Sequence, residues 1–155
     1  MSSSPSTSWT PPNGQKAQYN LHCHCRAISY TITLSPPLYT STPNPSDRCV
    51  AVECACSYCA RNGLLTVHPL ASDVHFDAAG LEFREEYLCG ARRAAHWFCR
   101  RCGSVLGTDL RGVMRSLGAE ERVGINVRML ADFDLNRIAT RKLTAMRDAP
   151  PKYEG

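Results

Sequence analysis

The sequence predicts a single domain, mainly β, with antiparallel sheets organised around two zinc sites. Two observations carry that prediction. Apolar and polar residues alternate in many short runs separated by Gly and Pro, and seven of the nine cysteines fall into tight clusters. Nine cysteines in 155 residues is far above ordinary usage, and their spacing is that of metal ligands.

Residues 1–17 are rich in Ser, Thr and Pro with little to bury, and read as a disordered N-terminal tail. The zinc domain is expected over residues 18–140, and residues 141–155 as a C-terminal extension. Tyr19, Leu21, Cys23 and Cys25 fall on alternate positions, as do Ile28, Tyr30, Ile32 and Leu34, so both runs read as half-buried strands. Ser35 to Asp47 carries Pro36, Pro37, Pro43 and Pro45 and reads as a loop. Cys49 to Cys54 is a short strand. Leu64 to His68, Asp73 to Phe76 and Leu81 to Leu88 are further strands, punctuated by Gly63, Pro69 and Gly80. Ala94 to Cys99 and Val105 to Leu110 flank Cys102-Gly103, and Val123, Ile125, Val127 and Met129 alternate again. Only Met114 to Arg122 and Asp132 to Ile138 suit a helical turn or two. No repeat is visible, and no βαβ alternation suggests a parallel sheet.

Composition narrows the class of protein. A hydrophobic fraction of 43% and a charged fraction of 21% are those of an ordinary globular chain. The first residues have no basic start followed by an apolar run, and no stretch reaches membrane-spanning length, so a cytoplasmic location is expected with no membrane partner. In a reducing compartment, clustered cysteines favour metal binding or catalysis over disulfides. The formal charge of +4 falls to +1 once seven thiolates and two Zn²⁺ are counted, and the basic residues are scattered, as in Arg92-Arg93 and Arg100-Arg101. No nucleic-acid partner is expected. Nothing in the sequence fixes the oligomeric state.

Three motifs carry the chemistry. Cys23-His-Cys25, read as strand, places two sulfurs on one face. Cys99-Arg-Arg-Cys102-Gly103 reads as a zinc knuckle whose Gly supplies the positive φ of the turn. Together they make four thiolates, a closed and therefore structural site. Cys54-Ala-Cys56-Ser-Tyr-Cys59 supplies three thiolates with no evident fourth partner, which is the pattern of a catalytic zinc with an open position for water or for a substrate thiolate. A thioredoxin-like redox pair is the competing reading, but it wants a βαβ setting and leaves the other clusters unexplained. Cys49 and Cys89 lie outside chelating spacing and read as buried small hydrophobes, with Cys49 the alternative fourth ligand of the second site. His22 and His24 flank Cys23 and would point away from the metal; His96 precedes Trp97-Phe98-Cys99.

The order of these motifs, followed by an Asn-Val-Arg segment, resembles the glutathione-dependent formaldehyde-activating enzyme family, which includes centromere protein V. The matching pieces are Leu21-His-Cys-His-Cys25, Glu53-Cys-Ala-Cys-Ser-Tyr-Cys-Ala-Arg61, Trp97-Phe-Cys-Arg-Arg-Cys-Gly103 and Gly124-Ile-Asn-Val-Arg128. The resemblance spans roughly residues 19 to 137. It implies a β-tent fold, a structural zinc on Cys23, Cys25, Cys99 and Cys102, and a catalytic zinc on Cys54, Cys56 and Cys59. One departure is visible: members usually carry Gly after the C-x-C, where this chain has Arg26.

The expected activity is that of a carbon–sulfur lyase, making or cleaving a C–S bond in a thiol adduct. The small-molecule partner is a thiol or its adduct, with glutathione the family's own. Three thiolates leave a zinc site at −1, a poor Lewis acid, which suits sulfur better than water. His96, Tyr58 and Arg128 are the candidate catalytic residues for the carbonyl oxygen, with Tyr87 a further candidate. Arg61 or Arg128 suits a substrate carboxylate. Two alternatives remain: a non-catalytic binding module that uses zinc to hold its fold, as in centromere protein V, and an activity on a specialised metabolite's thioether.

Overall fold

The computed structural model describes residues 15–40, 48–88 and 94–148. The tail up to residue 14, most of the proline-rich loop, Cys89 and residues 149–155 therefore lie outside the described residues.

Alternation in the sequence becomes a hairpin at the N-terminal end. β1 (Ala17–His22) and β2 (Ser29–Leu34) pair antiparallel with Leu21 opposite Tyr30 and Tyr19 opposite Ile32. That register sends Tyr19, Leu21, Tyr30, Ile32 and Leu34 to one face, where all are buried. The remaining strands are β3 (Val50–Cys54), β4 (Thr66–Val67), β5 (Val74–Phe76), β6 (Arg84–Leu88), β7 (Ala95–Cys99), β8 (Val105–Asp109), β9 (Val123–Asn126) and β10 (Ala139–Leu143). β5 adds to β2 to complete a three-stranded sheet. The others form a seven-stranded sheet in the order β10-β3-β4-β9-β8-β7-β6. Both sheets feed one core: Leu21, Ile28 and Ile32 from the first side meet Val67, Trp97, Leu106, Ile125 and Val127 from the second. Each fully buried Leu or Ile there is worth about 1.5–3 kcal/mol.

The fold is mainly β, as the patterning implied, but it departs from the sequence reading in four places. The larger sheet is mixed, because β10 runs parallel to β3, with Leu143 beside Cys54. Thr140, Arg141 and Lys142 are exposed, so this edge strand has no apolar alternation by which to announce itself. Cys23 and Cys25 are not strand residues. β1 stops at His22, and the chain turns, with Arg26 N donating to Cys23 O at 3.0 Å. The front of the expected Leu81 to Leu88 strand lies in a 3-10 turn, Ala78–Phe83, and the tail of the last expected strand forms another, Val127–Met129; Asn126 caps the second by accepting from Arg128 N.

The helices are also placed differently. α1 (Ser57–Asn62) lies inside the C-x-C-x-x-C motif, where no helix was expected, and α2 (Arg111–Ser116) starts and ends earlier than Met114 to Arg122. The expected helical turn within Asp132 to Ile138 is a single 3-10 turn, Leu135–Arg137. Among the described residues no helix is long and apolar enough to cross a membrane.

Candidate metal centres

The turn after β1 and the turn between β7 and β8 meet to bring four sulfurs together. Cys23, Cys25, Cys99 and Cys102 place their Sγ atoms within 4.8 Å of one another, with 3.6 Å between Cys23 and Cys25 and 3.8 Å between Cys25 and Cys99. A tetrahedral zinc with Zn–S of about 2.3 Å needs sulfurs about 3.8 Å apart, so the cage has the right size. The supporting bonds also have the right polarity. Ile28 N donates to Cys23 Sγ at 3.3 Å, and Ser104 Oγ lies 3.2 Å from Cys102 Sγ. Ser104 also accepts from His24 N at 3.0 Å, tying the two turns together. Gly103, at φ 80°, lets its N–H return to Cys99 O at 2.7 Å and closes the knuckle.

The thiols of this set are pulled in opposite directions. Burial pushes Cys23 up to about 12. Cys102 also feels burial, but hydrogen bonds led by Ser104 outweigh it and bring the thiol down to about 6. A divalent cation among the four sulfurs would favour the thiolate at every one of them.

The second set is built from one short segment. Cys54 ends β3, Cys56 is the N-cap of α1, and Cys59 sits in its first turn. Their sulfurs also lie within 4.8 Å of one another. Cys54 Sγ accepts from Cys56 N at 3.5 Å, and Cys56 Sγ accepts from Cys59 N at 3.4 Å. The Cys59 thiol holds Cys56 down to about 5, and that same contact drives Cys59 up. Gly63, at φ 62°, caps the helix by donating to Cys59 O. Arg128 then locks the cap, its Nε donating to Gly63 O at 3.0 Å.

Among the described residues no fourth His, Cys, Asp or Glu joins the three sulfurs. Cys49, the alternative fourth ligand, stands before β3 with its N–H bonded to Pro37 O at 2.9 Å, and burial pushes its thiol up to about 11. Its side chain is half-buried against the core. Both sulfur groups could hold a metal ion, one closed by four ligands and one with three.

Cys54 and Cys59 open onto a cavity of about 510 Å³. Leu64, Leu65 and Ile138 are among its apolar lining residues, and Arg128, Lys142, Arg147 and Glu53 are its charged ones. Of the three catalytic candidates, only Arg128 lines this cavity, with its guanidinium 5.6 Å from the Phe133 ring centre. Tyr58 and His96 are together elsewhere, ring against ring at 3.8 Å and 15°. His96 is buried, shares a 2.8 Å hydrogen bond with Thr108 Oγ1, and is held down to about 4 by burial. Arg61 folds back on its own helix, donating to Ser57 O at 3.0 Å. Sequence reasoning missed Glu53, Lys142 and Arg147. Glu53 and Lys142 become neighbours only through the parallel β3–β10 pairing, which nothing in the sequence signals.

No family model matches the chain, and no curated protein matches it. The solved structure of a Rhodobacter sphaeroides protein, a structural-genomics target, is similar at 26% identity and a TM-score of 0.56. The likeness covers 79% of this chain and 99% of that one, so it extends over that protein's whole fold.

Proposed function

We propose that this chain is a zinc-dependent enzyme of the carbon–sulfur lyase type, built on the β-tent fold of the formaldehyde-activating family. The observation that carries the reading is a three-sulfur set, without a fourth protein ligand among the described residues, that opens directly onto a cavity. When bound there, zinc supplies stabilisation of a substrate thiolate, because three protein thiolates leave it too electron-rich to activate water well.

The reaction is the reversible cleavage of a thiol–carbonyl adduct, an S-(hydroxyalkyl) thioether. The C–S bond breaks, its electron pair stays on sulfur, the hydroxyl oxygen becomes a carbonyl, and its proton leaves to a base. The chain's own residues set the stage for this. Leu64, Leu65 and Ile138 remove water from one side of the cavity. Arg128, Lys142 and Arg147 give the wall an excess of positive charge over Glu53, which favours an anionic thiol such as glutathione. Glu53, a carboxylate among the cavity's lining residues, is the base we assign to the hydroxyl proton. The four-sulfur set joins distant parts of the chain and has a structural role.

Cobalt substitution tests the reading, because each thiolate added to Co²⁺ changes its charge-transfer absorption. Titration of the two-cobalt protein with glutathione, and then with 2-mercaptoethanol, should shift the spectrum saturably. Cys56→Ser should abolish the shift and Cys49→Ser should not. A spectrum indifferent to both thiols, with four sulfurs already on each metal, would make this a zinc-stabilised binding module without catalysis.

A further inference from the structure

α1 has a problem of support. At six residues it is too short to persist alone, and it buries none of them. Its polar side chains turn back on its own backbone: Arg61 donates to Ser57 O and Asn62 Nδ2 to Tyr58 O at 2.9 Å. Yet this helix must hold Cys56 and Cys59 in fixed relation to Cys54 on β3. Tyr58 is the α1 residue whose ring reaches across to other strands. It lies over Tyr87 of β6 at 5.6 Å and over His96 of β7 at 3.8 Å.

Those two rings form a prepared surface. Tyr87 and His96 are direct cross-strand partners, and His96 is in turn the partner of Thr108 on β8. Side chains directly opposite in a sheet share a face. The 2.8 Å bond to Thr108 fixes the plane of the buried imidazole on which Tyr58 stacks. Successive residues on a helix point about 100° apart. With the Tyr58 ring held against the sheet, the following residue, Cys59, is turned away from it, and Cys59 does line the cavity while Tyr58 does not.

We infer that Tyr58 is a positioning residue for the three-cysteine metal site, and that His96 and Thr108 complete its seat. The inference rests on the reading of that set as a metal site. It gives Tyr58 and His96 a role in orienting ligands, away from the reacting atoms, with Arg128 and Glu53 left at the cavity wall.

Affinity of each of the two ions, measured by competition with a chromophoric chelator, tests it in wild type, Tyr58→Phe, Tyr58→Leu and Cys56→Ser. The seat is an aromatic stack, so Tyr58→Leu should weaken by about tenfold the one ion that Cys56→Ser loses, leaving the other within twofold. The cobalt d–d bands of that ion should move in Tyr58→Leu, reporting altered ligand geometry. Tyr58→Phe should restore both affinity and bands. Two unchanged affinities and an unmoved spectrum in Tyr58→Leu would overturn the inference, as would equal loss of both ions or a Tyr58→Phe protein as weak as Tyr58→Leu. If wild type binds a single ion, the metal-site reading itself fails and this inference falls with it.

Discussion

Replacing Arg26 by glycine should stabilise the protein. Arg26 sits at φ 64°, the left-handed region, and is the only non-glycine residue there among the described residues. It closes the turn that carries Cys23 and Cys25, its N–H bonded to Cys23 O at 3.0 Å. An L-residue in this conformation costs about 1–2 kcal/mol. Glycine removes that strain but loses about 0.5–1 kcal/mol more in chain entropy on folding. Arg26 is exposed, and among the described residues its side chain makes no hydrogen bond or ion pair that glycine would forfeit. The net gain is therefore about 0.5–1 kcal/mol, or roughly 1–4 °C in Tm for a domain of this size. Thermal and urea unfolding of the zinc-loaded protein measures it, with Arg26→Ala as control. Alanine keeps the strain and should gain nothing. A glycine variant no more stable than wild type, or an alanine variant that gains as much, would refute the reasoning.

Three further outcomes follow from particular contacts. Cys99→Ser should cost both the four-sulfur ion and most of the cooperative melt, whereas Cys56→Ser should lose one ion and retain a cooperative transition; paired calorimetry and metal analysis compare them, and equal collapse would make the second set structural too. His96, held down to about 4 by burial, should keep a neutral imidazole from pH 8 to 5.5. Its depressed pKa means that the stability it contributes is present above about 6.5 and is lost as pH falls from there toward 4; an NMR resonance titrating near 6.5 contradicts this. Gly107→Ala should destabilise by about 3 kcal/mol in urea, because a Cβ there would overlap Gly124 O and press Gly124 C at 3.2 Å, while Gly112→Ala, with open space, should be mild.

What the sequence made legible follows from the range of the forces involved. Alternation at Tyr19, Leu21, Tyr30 and Ile32 is a local signature of one buried face, and the structure places all four inside. The cysteine clusters were legible because chelating spacing is a local property, and both sets assemble as grouped. β10 was illegible because an exposed edge strand is held by backbone pairing with β3 rather than by its own apolar pattern. α1 was hidden for a related reason. Cys, Ser, Tyr and Asn are weak helix formers, and its caps, Cys56 Sγ at one end and Gly63 at the other, are residues that the motif had already claimed for metal and turn. His96 and Tyr58 are three or fewer positions from cysteines in sequence, which drew them toward chemistry; only the packing of α1 against β7 shows that they face each other.

The two sulfur sets differ in what their ligands hold together, and that difference supports the roles we propose for them. Cys25 and Cys99 meet across a sequence separation of 74. Closing a flexible loop of that length costs about 4 kcal/mol, and an ion spanning it contributes directly to folding free energy. A ligand exchange there would put the joint between β1 and β7 at risk. Cys54, Cys56 and Cys59 are already neighbours along the chain and close no long loop. Their geometry comes from α1, its caps and the Tyr58 seat, all of which remain when a ligand on the metal changes. On the proposed function, a substrate sulfur entering or leaving the second set would not loosen the sheet. The exchange of ligands that we propose fits the set whose sulfurs are local along the chain, which is also the set that opens onto the cavity.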